Sequence, residues 1–201
     1  MSKTKTLIVF AHGAGKGSSS DWMQAWAKRL GTLGQVVTFD YPYMAAGKKA
    51  PDRLPKLLAC HREQLQAARK RYPKRTKVVL VGKSMGSRVG CHLSQEEAVA
   101  GVVCLGYPLQ GMGKPENLRA EVLEAMTAPI LFVQGTRDAL CPLDVLERVR
   151  GQMSARTDLH VVETGSHSLE VTKGHTKATG RTQDDEDQAA LAAIRAFVES
   201  L

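Results

Sequence analysis

At 201 residues the chain is long enough for one domain with a sizeable core, and a single domain over residues 1–201 is expected. The formal net charge of +8 would draw anionic substrates or partners by long-range attraction. Its densest source, Arg69-Lys70-Arg71 with Lys74, Arg75 and Lys77, sits where a helix should end, so cations there complement the helix dipole; with only Tyr72 among them to stack on a base, specific nucleic-acid binding is not expected.

The first apolar run, Leu7 to Ala11, is too short for a signal segment or a membrane span, which predicts a soluble, cytoplasmic protein with no membrane association. Short β-branched runs then recur at Thr6–Phe10, Val36–Phe39, Lys77–Val81, Gly101–Leu105, Pro129–Val133 and Leu159–Glu163. Helical patterns lie between them: Asp21 to Leu33, Arg53 to Arg71, Met85 to Ser94, Pro115 to Met126, Pro142 to Met153 and Gln183 to Ser200. Repeating βα units predict a parallel sheet of about six strands with helices on both faces, a three-layer α/β architecture. The strands read as apolar throughout, as strands buried on both faces should. In the first helix Trp22, Trp26 and Leu30 recur at four-residue spacing and read as core packing. Two segments, Tyr41 to Pro51 and Val171 to Arg181, read as loops leaving the C-terminal ends of strands, the side on which open α/β sheets bind ligands.

The third strand runs directly into Gly82-Lys83-Ser84-Met85-Gly86. Gly-x-Ser-x-Gly after a buried strand is the pattern of a nucleophile elbow, a tight strand-to-helix turn that lifts the serine hydroxyl above the sheet. A hydroxyl becomes a nucleophile only with a base in reach and a third group to orient that base. The fifth strand leads to Gln134-Gly135-Thr136-Arg137-Asp138 and the sixth to Thr164-Gly165-Ser166-His167, so Asp138 and His167 both fall just past strand ends. The catalytic candidates are therefore Ser84, Asp138 and His167. Asp144 or Glu163 stand as alternative acids and His175 as an alternative base, whereas His160 falls within a strand.

A developing oxyanion needs aimed donors. The segment His12-Gly13-Ala14-Gly15 after the first strand lies beside the elbow if the strands are ordered 2-1-3-4-5-6, offering the N–H groups of Ala14 and Met85. As phosphate cradles both glycine loops fail: Phe10 ahead of Gly15-Lys16 and Lys77 ahead of Gly82-Lys83-Ser84 stand where the first glycine of G-x-x-x-x-G-K-S/T belongs, and Ser18 replaces the last glycine of G-x-G-x-x-G after Gly13 and Gly15. His12 reads as a hydrogen-bonder within its loop. From loop position alone His12, Tyr41, Tyr43, Tyr107 and Leu109, with Met85, are expected to wall a substrate site. The four cysteines, Cys60, Cys91, Cys104 and Cys141, lack C-x-x-C spacing, and no metal-ligand pattern occurs, so reduced thiols, no metal and no cofactor are expected.

Six blocks together, Phe10-Ala11-His12-Gly13-Ala14-Gly15, Phe39-Asp40-Tyr41-Pro42-Tyr43, Gly82-Lys83-Ser84-Met85-Gly86-Ser87-Arg88, Leu105-Gly106-Tyr107-Pro108-Leu109, Gln134-Gly135-Thr136-Arg137-Asp138 and His167-Ser168-Leu169, carry a family resemblance. The chain resembles the small α/β-hydrolases that include testis-expressed hydrolase-like proteins and the subunit 3 type of the non-specific-lethal chromatin complex, with dienelactone-hydrolase-like enzymes as relatives. The resemblance implies the α/β-hydrolase fold with Ser84, Asp138 and His167 at matching positions. Only Tyr107 to Ala128 separates the fourth and fifth strands, where larger hydrolases insert a cap, so a capless open site is expected. The resulting expectation is a serine hydrolase acting on a small-molecule ester or thioester through an acyl-enzyme, as monomer or dimer. The alternative is a non-catalytic hydrolase-fold protein that binds other proteins.

Overall fold

A computed structural model describes residues 6–72, 76–111 and 113–201; Lys74 and Arg75 of the basic cluster lie outside them. In chain order the elements are β1 (Thr6–Ala11), α1 (Asp21–Leu30), β2 (Gln35–Phe39), α2 (Pro42–Ala45), α3 (Leu54–Arg71), β3 (Lys77–Lys83), α4 (Met85–Leu93) and β4 (Gly101–Leu105). The second half contains β5 (Gln110–Gly111), β6 (Lys114–Leu118), α5 (Glu121–Glu124), β7 (Ile130–Gly135), α6 (Leu143–Arg150), β8 (Thr157–Val162), α7 (Lys173–Thr179) and α8 (Gln183–Ser200).

Six strands form one sheet in the order β2-β1-β3-β4-β7-β8, every neighbouring pair parallel. This is the expected order 2-1-3-4-5-6, with β7 and β8 as the fifth and sixth sheet strands. Because side chains alternate along a strand, each central strand feeds two cores. Ile8, Phe10, Val79, Val81, Leu131 and Val133 pack under Met23, Trp26 and Leu30 of α1 and Ile194 and Phe197 of α8. On the other face Leu7, Val9, Leu80, Cys104 and Phe132 pack under α3, α4 and α6 through Leu57, Leu65, Val89, Cys91 and Leu146. Both faces being covered explains the unbroken apolar runs of β1, β4 and β7, while edge strands β2 and β8 are half exposed.

Three expected elements differ, the first being the Tyr41 to Pro51 loop, which opens with the single helical turn α2. The Pro115 to Met126 segment is not a helix: β5 and β6 pair antiparallel across a turn with Gly113 at φ 63°, and only the single turn α5 follows. The left-handed glycine closes a hairpin where the apolar spacing suggested helix. The Val171 to Arg181 segment is not all loop, because it folds into α7. Thr172 caps that helix by accepting the His175 N–H at 3.1 Å, and Gly180 at φ 73° ends it. No helix among the described residues is long and apolar enough to cross a membrane.

Candidate active site

The turn from β3 into α4 is built around a strained serine. Ser84 has φ 51° and ψ −113°, a conformation that non-glycine residues adopt only under constraint. Its flanking glycines are required by space. A Cβ on Gly86 would lie 2.5 Å from the Ala11 carbonyl oxygen, and one on Gly82 would overlap the backbone of Gly86 and Ser87. The Ser84 N–H donates to the Leu105 carbonyl at 3.1 Å, which ties the elbow to β4.

The structure brings the three expected catalytic side chains together in one line. Ser84 Oγ lies 2.7 Å from His167 Nε2, and His167 Nδ1 lies 2.7 Å from Asp138 Oδ2. An ionised carboxylate only accepts, so the proton sits on Nδ1 and Nε2 is left to accept from the serine hydroxyl. Asp138 is buried, which opposes its charge. The hydrogen bond and attraction from His167, the Leu140 N–H at 2.9 Å and the Gln134 amide at 2.6 Å outweigh that cost, and its carboxyl falls below the usual aspartate range. The alternatives lie elsewhere. Asp144 faces Arg148 on α6, Glu163 hydrogen-bonds to Thr136, His175 pairs with Glu186 at 3.0 Å, and His160 sits mid-strand opposite Val133.

The His12–Gly15 loop abuts the elbow: a Cβ on Gly13 would touch the Lys83 carbonyl and the Ser84 Cβ at 3.2 and 3.3 Å. His12 is fully buried and does not face a substrate, which corrects the expectation for it. Its Nδ1 donates to the Gly13 carbonyl at 2.7 Å and its Nε2 accepts from the Tyr41 N–H at 3.1 Å, so both nitrogens are spent on shaping the loop, and burial lowers its pKa. Ala14 lines the cavity above Ser84. Met85 is the first residue of α4, where the helix leaves N–H groups unused.

The remaining wall residues are also corrected. Tyr41, Tyr43, Tyr107 and Leu109 are at most 1% exposed. Tyr41 places its hydroxyl 3.2 Å from His61 Nδ1, Tyr43 donates to the Gly13 carbonyl at 3.4 Å, and Tyr107 stands edge-on to Phe132 while donating to the Arg119 carbonyl at 3.2 Å. Loop position gave the correct end of the sheet, but large apolar side chains there turn down to close the core. Half-buried Met85 likewise packs on that core.

A cavity of about 430 Å³ opens instead between the β1–α1 loop and the His167 loop, bounded by Trp22, Met23 and Lys83 beside Ser84 and His167, with Lys16 and Glu170 at its mouth. Trp22, expected to be core with Trp26, is partly buried and packs on the α1 side of the core while also lining this space, whereas Trp26 is fully buried. Lys83 went unassigned although it occupies the variable position before Ser84, where a side chain leaves the turn beside the serine hydroxyl. Its ammonium is pulled down to about 8 by burial, against the opposing pull of Asp138 and Glu170.

A six-stranded parallel sheet bearing a strained serine elbow, with an acid and a histidine past the ends of its last two strands, defines an α/β hydrolase. The chain belongs to that family: residues 4–199 match the alpha/beta hydrolase domain. Solved structures agree at the level of the fold. An alpha-beta serine hydrolase homologue from Coxiella burnetii is 17% identical with a TM-score of 0.70, covering 98% of this chain and 86% of that one. Est1E from Butyrivibrio proteoclasticus, solved with ferulic acid bound, is 16% identical at TM-score 0.71 over 98% and 89% of the two chains. A dienelactone hydrolase from Anabaena variabilis is 20% identical at TM-score 0.68 over 95% and 86%.

Proposed function

We propose that this hydrolase is a serine esterase or thioesterase acting through an acyl-Ser84 intermediate. The observation that carries the reading is the pair of 2.7 Å contacts linking Ser84 Oγ, His167 and Asp138 in a single relay. In this reading His167 Nε2 accepts the hydroxyl proton as Ser84 Oγ attacks the acyl carbon. The Ala14 and Met85 N–H groups receive the oxyanion, and Asp138 stabilises the imidazolium. His167 then returns the proton to the leaving alcohol or thiol. Water repeats the sequence to release the acid.

The short β5–β6 hairpin and α5, which are all that connect β4 to β7, support an open, capless site of the small testis-expressed type. A cavity of about 430 Å³ suits a small or exposed acyl group. The proposal extends to a single-domain cytoplasmic enzyme that needs no cofactor, takes a small-molecule substrate and binds no specific nucleic acid. The deciding experiment is labelling with a fluorophosphonate probe, read by intact mass, with Ser84→Ala as control. One adduct lost in the variant is the expected result. A folded protein that takes no adduct would overturn the reading in favour of a non-catalytic interaction protein.

A further inference from the structure

Three consecutive carbonyls of the loop that carries His167 each receive a side-chain donor from a different part of the chain. Lys83 Nζ donates to the His167 carbonyl, Trp22 Nε1 to that of Ser168 at 2.9 Å, and Gln183 Nε2 to that of Leu169 at 3.0 Å. The loop needs such ties because Thr164 and Leu169, on either side of His167, stand in the left-handed region at φ 56° and 65°. The donors also brace one another: the Lys83 ammonium lies over the Trp22 ring, 5.3 Å from its centroid.

Of the three, Lys83 alone reaches both reacting groups. Its backbone is bonded to Ser84, and its side chain holds the backbone of His167. Lys83 therefore links the segments that carry Ser84 and His167, while the reaction proposed above consumes nothing from it.

Resting on the serine-hydrolase reading, we propose that Lys83 is a positioning residue, whose ammonium sets the distance between His167 Nε2 and Ser84 Oγ by holding the His167 carbonyl. A charge-assisted hydrogen bond is roughly twice as strong as a neutral one, so the tie weakens when the ammonium loses its proton. Burial brings that loss down to about pH 8. The charged and titratable groups facing Lys83 are the Asp138 carboxylate after β7 and, after β8, the His167 imidazole and the Glu170 carboxylate; Lys16, after β1, lines the same cavity. Glu170 and Lys16 are exposed, where solvent screens them.

The test is the pH dependence of kcat and KM between pH 6 and 10 on a p-nitrophenyl ester, for the wild type, Lys83→Met, and Lys83→Cys alkylated with 2-bromoethylamine. The last restores an amine on a thioether arm. Cys60, Cys91, Cys104 and Cys141 are buried, so the folded protein takes one aminoethyl group, counted by mass. The wild-type kcat should fall as pH rises through about 8. Lys83→Met should lose about ten- to a hundredfold in kcat with little change in KM, and lose the alkaline fall. Aminoethylation should restore kcat and move the fall to lower pH, because the thioether makes that amine less basic.

A Lys83→Met enzyme with wild-type kcat, or with the alkaline fall intact, would overturn the proposal. If Lys83→Met does not fold, the alkylated cysteine variant decides alone, and its failure to recover activity refutes the role. Fluorophosphonate labelling of the wild type separates the two levels: no adduct removes the serine-hydrolase reading, whereas an adduct with an unaltered Lys83→Met profile removes only the positioning role.

Discussion

Replacing Asp138 by asparagine keeps the side chain's shape, yet the surrounding hydrogen bonds leave an amide no satisfactory orientation. The Tyr107 N–H donates to Gln134 Oε1 at 3.1 Å, which fixes the Gln134 amide so that its NH₂ points at Asp138 Oδ2, 2.6 Å away. The Leu140 N–H demands an acceptor at the other oxygen. An asparagine that satisfies Leu140 turns its own NH₂ towards both Gln134 and His167. One buried donor then meets another, at a cost of about 1–3 kcal/mol. His167 must also accept at Nδ1, which puts its proton on Nε2 facing the Ser84 hydroxyl, the wrong tautomer for a base. The opposite orientation suits His167 and Gln134 but sets NH₂ against the Leu140 N–H. On this accounting Asp138→Asn loses ~10⁴ in kcat near neutral pH, about the loss that the same tautomer inversion causes in the serine-protease triad. Ester hydrolysis measures the kinetic loss, with fluorophosphonate labelling rates as a check that needs no substrate, and urea unfolding measures the cost of the buried clash. A loss below tenfold with the fold intact would refute the claim that Asp138 dictates the tautomer of His167.

Ser84→Gly should abolish labelling and raise stability by about 1 kcal/mol, because glycine adopts the φ of 51° without strain; a destabilised variant in urea titration would deny that the elbow is strained. Acid should weaken the fold through Asp138. Its carboxyl is held below its unfolded value, so its contribution is complete above the ordinary aspartate range and is lost as pH falls through the lower folded value; urea midpoints followed downward from pH 6 should drop less in Asp138→Asn than in the wild type. Trp22→Ala should alter the ranking of acyl chain lengths while Tyr107→Ala costs about 3–5 kcal/mol of stability and leaves the ranking alone, since only Trp22 faces the cavity; a shifted ranking in a folded Tyr107→Ala would restore the aromatic to the substrate wall.

Much of the architecture was legible because its signals are local and redundant. Apolar runs such as Thr6–Ala11 and Ile130–Gly135 are buried from end to end, and the strand order follows from βα repetition with one switch point beside β1. The β5–β6 hairpin escaped because its pairing depends on Gly113 adopting positive φ, which apolar spacing does not reveal. Helix α7 was readable in principle: Thr172 as cap and Gly180 as stop are the standard end signals, but the segment has no buried residue to give it an apolar stripe.

At the site, the difference lies between what topology determines and what packing determines. Ser84, Asp138 and His167 each follow a strand end, so chain order alone brings them to one edge of the sheet, and the 2.7 Å contacts need only the loop residues already spelled in the sequence. The direction of a large side chain at that same edge is decided by which layer has room for it. Tyr41, Tyr43 and Tyr107 found room below, where each hydroxyl meets a hydrogen-bonding partner, His61, the Gly13 carbonyl or the Arg119 carbonyl. A tyrosine that buries its ring and still satisfies its hydroxyl is more stable there than in water. Trp22 packs only partly on the core beside Phe10 and Trp26, and its N–H is drawn to the Ser168 carbonyl at the cavity edge. The aromatic beside Ser84 is therefore the one that the core buries only in part, and its indole also secures the loop that brings His167 to Ser84.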